Sequence, residues 1–158
     1  MRISLALLAL LIAAPAHGEV KLTERLAKAF VASQESAWNA KDARAFSTTF
    51  VADAQFVDQA RDSHGGVTRN GESTLSEMVN QARRFFSRSQ FHETEFVDQV
   101  IIAADGRSAK IIGHEVIQIV TSGGAQRSLC AQTQQTVSLR NGRILSHGQT
   151  DTDVRCSR

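Results

Sequence analysis

The hydrophobic positions of this chain change their period once. From Leu22 they recur at Leu22, Leu26, Phe30 and Trp38, with Ala29 and Ala37 beside them and Gln34 inside the same stripe, which predicts one face of an α-helix. Asp42 is an acceptable N-cap for a second short helix that places Ala45, Phe46, Thr49 and Phe50 on one side. Ala54 to Asp58 then alternates as a short strand. A loop marked by Gly65-Gly66 and Asn70-Gly71 leads to a third helix. Its start has the capping-box spacing Thr74-Leu75-Ser76-Glu77, and its buried face is Leu75, Met78, Val79, Ala82, Phe85 and Phe86. Beyond Ser89 the helical period disappears, and the turn signals Asp105-Gly106, Gly123-Gly124 and Asn141-Gly142 divide the rest into a four-stranded antiparallel meander.

Ahead of the first helix stand Arg2 and an apolar run from Leu5 to Ala14, too short to span a bilayer and typical of a signal peptide. Small residues allow cleavage after Ala16 or after Gly18. The expectation is a signal peptide over 1–18 and one exported domain over 19–158, periplasmic or secreted, with no membrane contact after cleavage.

Composition narrows this picture only where it excludes something. A chain of 158 residues, 42% hydrophobic, suits a single domain. Its formal net charge of +2 comes from scattered Lys and Arg, so nothing calls for nucleic acid or an anionic membrane. Cys130 and Cys156 enter an oxidising compartment, where a disulfide is the default and two unpaired thiols the alternative. They lack the close spacing of a zinc site, and the histidines are scattered. No nucleophile elbow, phosphate loop or dinucleotide fingerprint is present, so neither a metal nor a cofactor is expected.

The stretch Trp38-Asn39-Ala40-Lys41-Asp42-Ala43-Arg44-Ala45-Phe46, followed by Phe50-Val51-Ala52-Asp53-Ala54-Gln55-Phe56-Val57-Asp58, resembles the opening of SnoaL-like domains of the nuclear transport factor 2-like superfamily, SgcJ/EcaC type. The resemblance implies an α+β fold in which a curved antiparallel sheet is wrapped by three N-terminal helices into a cone, the cystatin-like arrangement, frequently as a homodimer. It also implies functions that range from steroid isomerases, polyketide cyclases and dehydratases to non-catalytic binding modules. Two functions follow as expectations. One is small-molecule binding with cofactor-free acid/base catalysis of the isomerase, cyclase or dehydratase type; the other is a non-catalytic exported module that binds a ligand or a partner protein.

Two-residue hairpins at the three turns would pair Ala104 with Arg107, Ser122 with Ala125 and Arg140 with Arg143. That register sets Glu115, Gln132 and Asp151 in one row, Gly113, Gln134 and Gln149 in the next, and Ile111, Thr136 and His147 in a third. A slip at Gly123-Gly124 would replace Glu115 by a neighbour such as His114. Asp58 is the candidate general base, because the resemblance places a proton-shuttling carboxylate there and an apolar mouth beside Phe56 would raise its pKa. His147 and Asp151, four apart on the last strand, form a second candidate acid/base pair. Gln34, Trp38, Phe56, Glu115, Gln132, Gln134 and Gln149 are candidate ligand contacts. The chain contains no tyrosine, so the oxyanion-holding phenol of the steroid isomerases is missing, and Gln34 at the matching helical position is a weaker acid.

Overall fold

The computed structural model describes residues 20–120 and 124–156; the leader and both of its cleavage points lie outside them. The first helix, α1 (Glu24–Asn39), starts where the Thr23 hydroxyl accepts from the Leu26 N–H at 3.3 Å. Its buried residues are Ala27, Phe30, Val31 and Gln34, whereas Ala29 is exposed. The buried face is therefore rotated from the expected stripe, because Phe30 and Val31 pack on Ala109, Ile111, Val137 and Leu139 of the sheet. In α2 (Ala43–Ser47) Asp42 caps the Arg44 and Ala45 N–H groups. Thr49 and Phe50 fall outside this helix. The Thr49 carbonyl accepts from Ser146 N–H at 2.9 Å, and Phe50 opens the first strand opposite Ser146.

That strand, β1 (Phe50–Arg61), is longer than its sequence signal, and it turns through Asp62, whose carboxylate accepts from His64 and Gly66 N–H groups. The following β2 (Val67–Thr74) is a strand where the sequence pattern predicts a loop. Asn70-Gly71 is no turn; Gly71 lies opposite Asp58 at a bulge between Asp58 and Gln59. Pairing along β1 supplies partners for a backbone that a loop would leave to water. Next come α3 (Leu75–Arg88), opened by the expected Thr74–Glu77 capping box, and the strands β3 (Gln90–Ile102), β4 (Ser108–Val120), β5 (Gln126–Arg140) and β6 (Arg143–Val154). The six strands form one curved, unclosed sheet in the order β2-β1-β6-β5-β4-β3. Helices cover its inner face, which is the α+β cone that the sequence leads one to expect. Its strands pair antiparallel except β1 and β6, which run parallel.

Two departures from two-residue hairpins decide which side chains point inward. Between β4 and β5, Val120 pairs with Gln126 rather than Arg127, one residue off the expected register. Between β5 and β6 the Arg140–Arg143 pairing is as expected, but an extra residue enters β6 between Ser146 and Gln149. Val137 consequently joins Ile111 in the core instead of facing outward.

Gly148 makes the β6 irregularity sterically possible. It has φ +122°, and a Cβ there would overlap the Gln55 backbone, where β1 bulges against β6. Gly148→Ala is expected to cost about 3 kcal/mol or more, combining the left-handed strain with the clash; urea unfolding measures it, and a loss under about 1 kcal/mol would show that the bulge relaxes freely.

Cys130 and Cys156 are bonded, with Cα atoms 5.3 Å apart and a sequence separation of 26. The β6 bulge helps, since it sets Cys130 opposite Val154 and leaves Cys156 two residues beyond. Closing a loop of that length contributes about 3–4 kcal/mol in the chain-entropy account. A Cys130→Ala, Cys156→Ala pair should lower unfolding free energy by about that amount, and an unchanged denaturation midpoint would refute such a contribution.

Candidate functional site

The inner face of the sheet under α1, α2 and α3 carries more carboxyl groups than the sequence suggests. Following the register across it, Glu95 pairs with Glu115, Glu115 with Ala131, and Ala131 with Asp153. The next row runs Val97, Gly113, Thr133, Asp151 and Asp58. Small residues in the middle (Gly113, Ala131 and Thr133) leave open space between acids that stand on β3 and β4 and acids that stand on β6 and β1. Gly113 has its own requirement, because a Cβ would overlap the Phe96 carbonyl oxygen at the β3 bulge.

Above this floor lies a cavity of about 170 Å³. Glu93, Glu115, Ile117, Gln149 and Asp151 line it from the sheet, and Trp38, Phe46, Phe56 and Met78 line it from the helices and β1. It shares Trp38, Phe56, Met78, Ile117 and Asp151 with a wider cleft of about 280 Å³, which reaches Asp58, Ser73, Gln81 and Phe85. The aromatic wall is held by its own packing: Trp38 lies 5.0 Å from Phe46 and 4.8 Å from Phe86, and Phe50 lies 5.0 Å from both Phe46 and Phe56. Asn39 ties the end of α1 to β3, donating to the Glu93 carbonyl and accepting from the Glu93 N–H, each at 2.8 Å. Trp38 and Glu93 are thereby fixed side by side.

The electrostatics follow from burial without a counter-ion. Glu115 is 8% exposed and Glu93 7%, and no described Lys, Arg or His pairs with Glu93, Glu95, Glu115 or Asp151. Desolvation pushes the carboxyl of Glu93 up to about 8, with Glu95 and Asp151 adding repulsion, while the neighbouring Trp38 indole opposes the rise. Burial likewise raises Glu95 to about 8, opposed by the Thr133 hydroxyl, and Glu115 to about 10. Asp151 is raised to about 7 by burial, although Gln149 donates to it at 2.8 Å. Asp58, exposed at the mouth, is raised first by partial desolvation and then by Asp153. At neutral pH the inner carboxyls are thus largely protonated, able to donate as well as accept, and Asp151 sits near the point where it exchanges a proton readily.

Among the residues expected from sequence, Trp38, Phe56, Glu115, Gln149 and Asp151 line the cavity, and Asp58 lines the adjoining cleft. Four others lie elsewhere. Gln34 is buried beside the cavity, donating to Thr49 Oγ1 at 3.0 Å and accepting from Gln135 Nε2 at 3.2 Å. Gln132 and Gln134 are exposed, Gln132 accepting from Arg61 at 3.0 Å. The one-residue difference at the β4–β5 turn sets Ala131 rather than Gln132 opposite Glu115 and moves both glutamines off the inner face, and the residue added to β6 leaves Thr133 opposite Asp151. His147 shares a hydrogen bond of 2.8 Å with Ser138 and does not line the cavity. The residue added to β6 after it breaks the alternation that would have put it on one side with Asp151. Glu93, Glu95, Phe46 and Met78 are site residues that the sequence pattern does not single out. A signal exists for the two glutamates, since they share strand parity with apolar Phe91 and Val97 and so belong to the inward face.

A domain of this architecture, a cone of curved sheet and helices around a polar-floored pocket, has the nuclear transport factor 2-like, cystatin-like fold. Solved structures with this fold resemble the chain over most of its length. A ketosteroid isomerase-like protein from Erwinia carotovora atroseptica superposes with TM-score 0.63 at 14% identity, covering 85% of this chain and 100% of that one. An NTF-2 like protein of unknown function from Shewanella oneidensis gives 0.60 at 12%, covering 80% and 96%. A domain with a cystatin-like fold from Nostoc punctiforme gives 0.60 at 17%, covering 84% and 78%. No family model and no curated protein sequence matches the chain.

Proposed function

We propose that this protein is an exported SnoaL-like domain that binds a small polar molecule in the Trp38–Asp151 cavity and performs cofactor-free acid/base chemistry on it, of the isomerase, cyclase or dehydratase type. The observation that carries this reading is the meeting of buried carboxyls and an aromatic wall in one half-open pocket. Asp151 transfers the proton at the cavity floor. Asp58, its neighbour on the adjacent parallel strand, connects it to solvent at the mouth. Export accords with the leader pattern and with the Cys130–Cys156 bond.

Trp38 is the one tryptophan of the chain and lines the cavity, so its fluorescence reports occupancy. A fragment library is expected to yield binders that shift Trp38 emission and the methyl resonances of Met78 and Ile117 together. If binders are found only at other surfaces, the small-molecule reading fails. We also propose a homodimer through the outer face of the sheet, where Phe96 and Ile101 are 46% and 48% exposed. Light scattering at micromolar concentration should give twice the monomer mass, and a monomer would overturn this part.

A further inference from the structure

We infer that the ligand of this cavity is a compact organic cation bearing N–H groups, an amine or guanidine with an apolar body, held by Glu93 and Glu115 against Trp38, Phe46 and Phe56. The inference rests on the small-molecule reading above and assigns its substrate class. Acids crowd the site from every side: Glu93 and Glu95 from β3, Glu115 from β4, Asp151 and Asp153 from β6, Asp58 from β1, and Glu35 from α1. No Lys, Arg or His is among the described residues lining the cavity or its cleft. A ligand with a carboxylate or phosphate would find no cationic partner there, and would be repelled by every carboxyl that ionises.

Several observations separate a binding site from a mere acidic cluster. Glu115 is more than nine-tenths buried, faces the cavity and makes no hydrogen bond or ion pair with a described residue. Burying a carboxyl with no partner is costly, and a ligand donor removes that cost. The opposite wall is three aromatic rings, whose faces attract a cation once water is excluded. No three His, Cys, Asp or Glu among the described residues are arranged to hold a metal ion, so the geometry favours an organic cation. The unmet acceptors of Glu115 call for N–H groups rather than a quaternary ammonium. At about 170 Å³ the inner cavity is below the roughly 300 Å³ at which drug-sized pockets begin. The cationic head therefore belongs inside and the remainder of the molecule in the cleft toward Asp58.

The test uses three probes that share a phenethyl body, on the mature protein and followed by Trp38 fluorescence: phenethylammonium, neutral 2-phenylethanol and anionic 3-phenylpropanoate. Phenethylammonium is expected to bind at least about tenfold more tightly than the alcohol at about pH 8, the propanoate not at all. Its affinity should rise at least about tenfold from about pH 5.5 to about pH 8, because the cation draws protons off the carboxyls. Calorimetry in buffers of different ionisation enthalpy should register that proton release. Glu115→Gln should remove most of the preference for the cation over the alcohol, with its melting curve checking the fold. Equal binding of alcohol and ammonium overturns the cation inference and leaves the small-molecule reading standing. Absence of binding by all three overturns the inference as well, whereas the small-molecule reading then falls only if the fragment library also misses the cavity.

Discussion

The melting temperature of the ligand-free protein is expected to fall as the pH is raised from about 5 to about 9, the reverse of ordinary acid denaturation. In the unfolded chain the carboxyls of Glu93, Glu95, Glu115 and Asp151 ionise near their usual values of about 4. In the folded protein they do so near about 8, 8, 10 and 7. Between those limits the folded state binds more protons, so stability declines with rising pH; below about pH 4 both states are protonated and the difference vanishes. Each tenfold difference in proton affinity between the folded and unfolded states corresponds to about 1.4 kcal/mol. For a domain of this size that is several degrees in Tm. Glu115→Gln keeps the shape and removes the ionisation, so the variant should be more stable than the wild type at about pH 8 by at least that amount and nearly equal to it at about pH 4. A wild-type Tm that is flat or rises over this range would mean that the carboxyls are hydrated or paired, contrary to the burial described above.

The second large effect is on turnover. With any substrate that the protein converts, Asp151→Asn is expected to lower kcat about 100- to 10,000-fold, the usual contribution of a well-placed general acid or base. KM should change much less, because an amide preserves the hydrogen bond that Asp151 accepts from Gln149. Asp58→Asn should have a smaller effect and shift the pH profile, since Asp58 is exposed at the mouth and acts on Asp151 by repulsion. His147→Gln should leave kcat within about twofold, its ring being engaged with Ser138 rather than the cavity. If Asp58→Asn abolishes turnover while Asp151→Asn keeps it, the base is the residue at the mouth, where the sequence resemblance places it.

Short-range signals in the sequence locate the helices well. Asp42 and Thr74 are caps that work through contacts within three residues, and both cap as expected. The later strands are legible too, but β1 is longer than its pattern and β2 has no pattern of its own. Gln55 to Arg61 and Val67 to Thr74 hold each other by mutual pairing, and nothing local in Val67-Thr68-Arg69-Asn70-Gly71 announces a strand. The site is half legible. Trp38, Phe56, Glu115, Gln149 and Asp151 stand out as polar or aromatic residues on plausible inward positions. Glu93 and Glu95 do not, because charged side chains are ordinarily assigned to the solvent side of a strand.

By itself the sequence determined the α+β order of elements, the caps, the two cysteines available for a bond and several of the acids that the site uses, Asp58, Glu115 and Asp151. Tertiary structure decided which of those acids face one another. A strand has a period of two, so a one-residue shift at the β4–β5 connection and one residue inserted beside Gly148 exchange the inner and outer faces downstream. Those two changes turned Gln132, Gln134 and His147 away and set Thr133, rather than Gln132, opposite Asp151. The insertion depends on the fit of Gly148 against a bulge in β1, about ninety residues earlier in the chain. A contact between such distant segments leaves no local pattern to read, and it is this contact that gathers the carboxyls into one cavity.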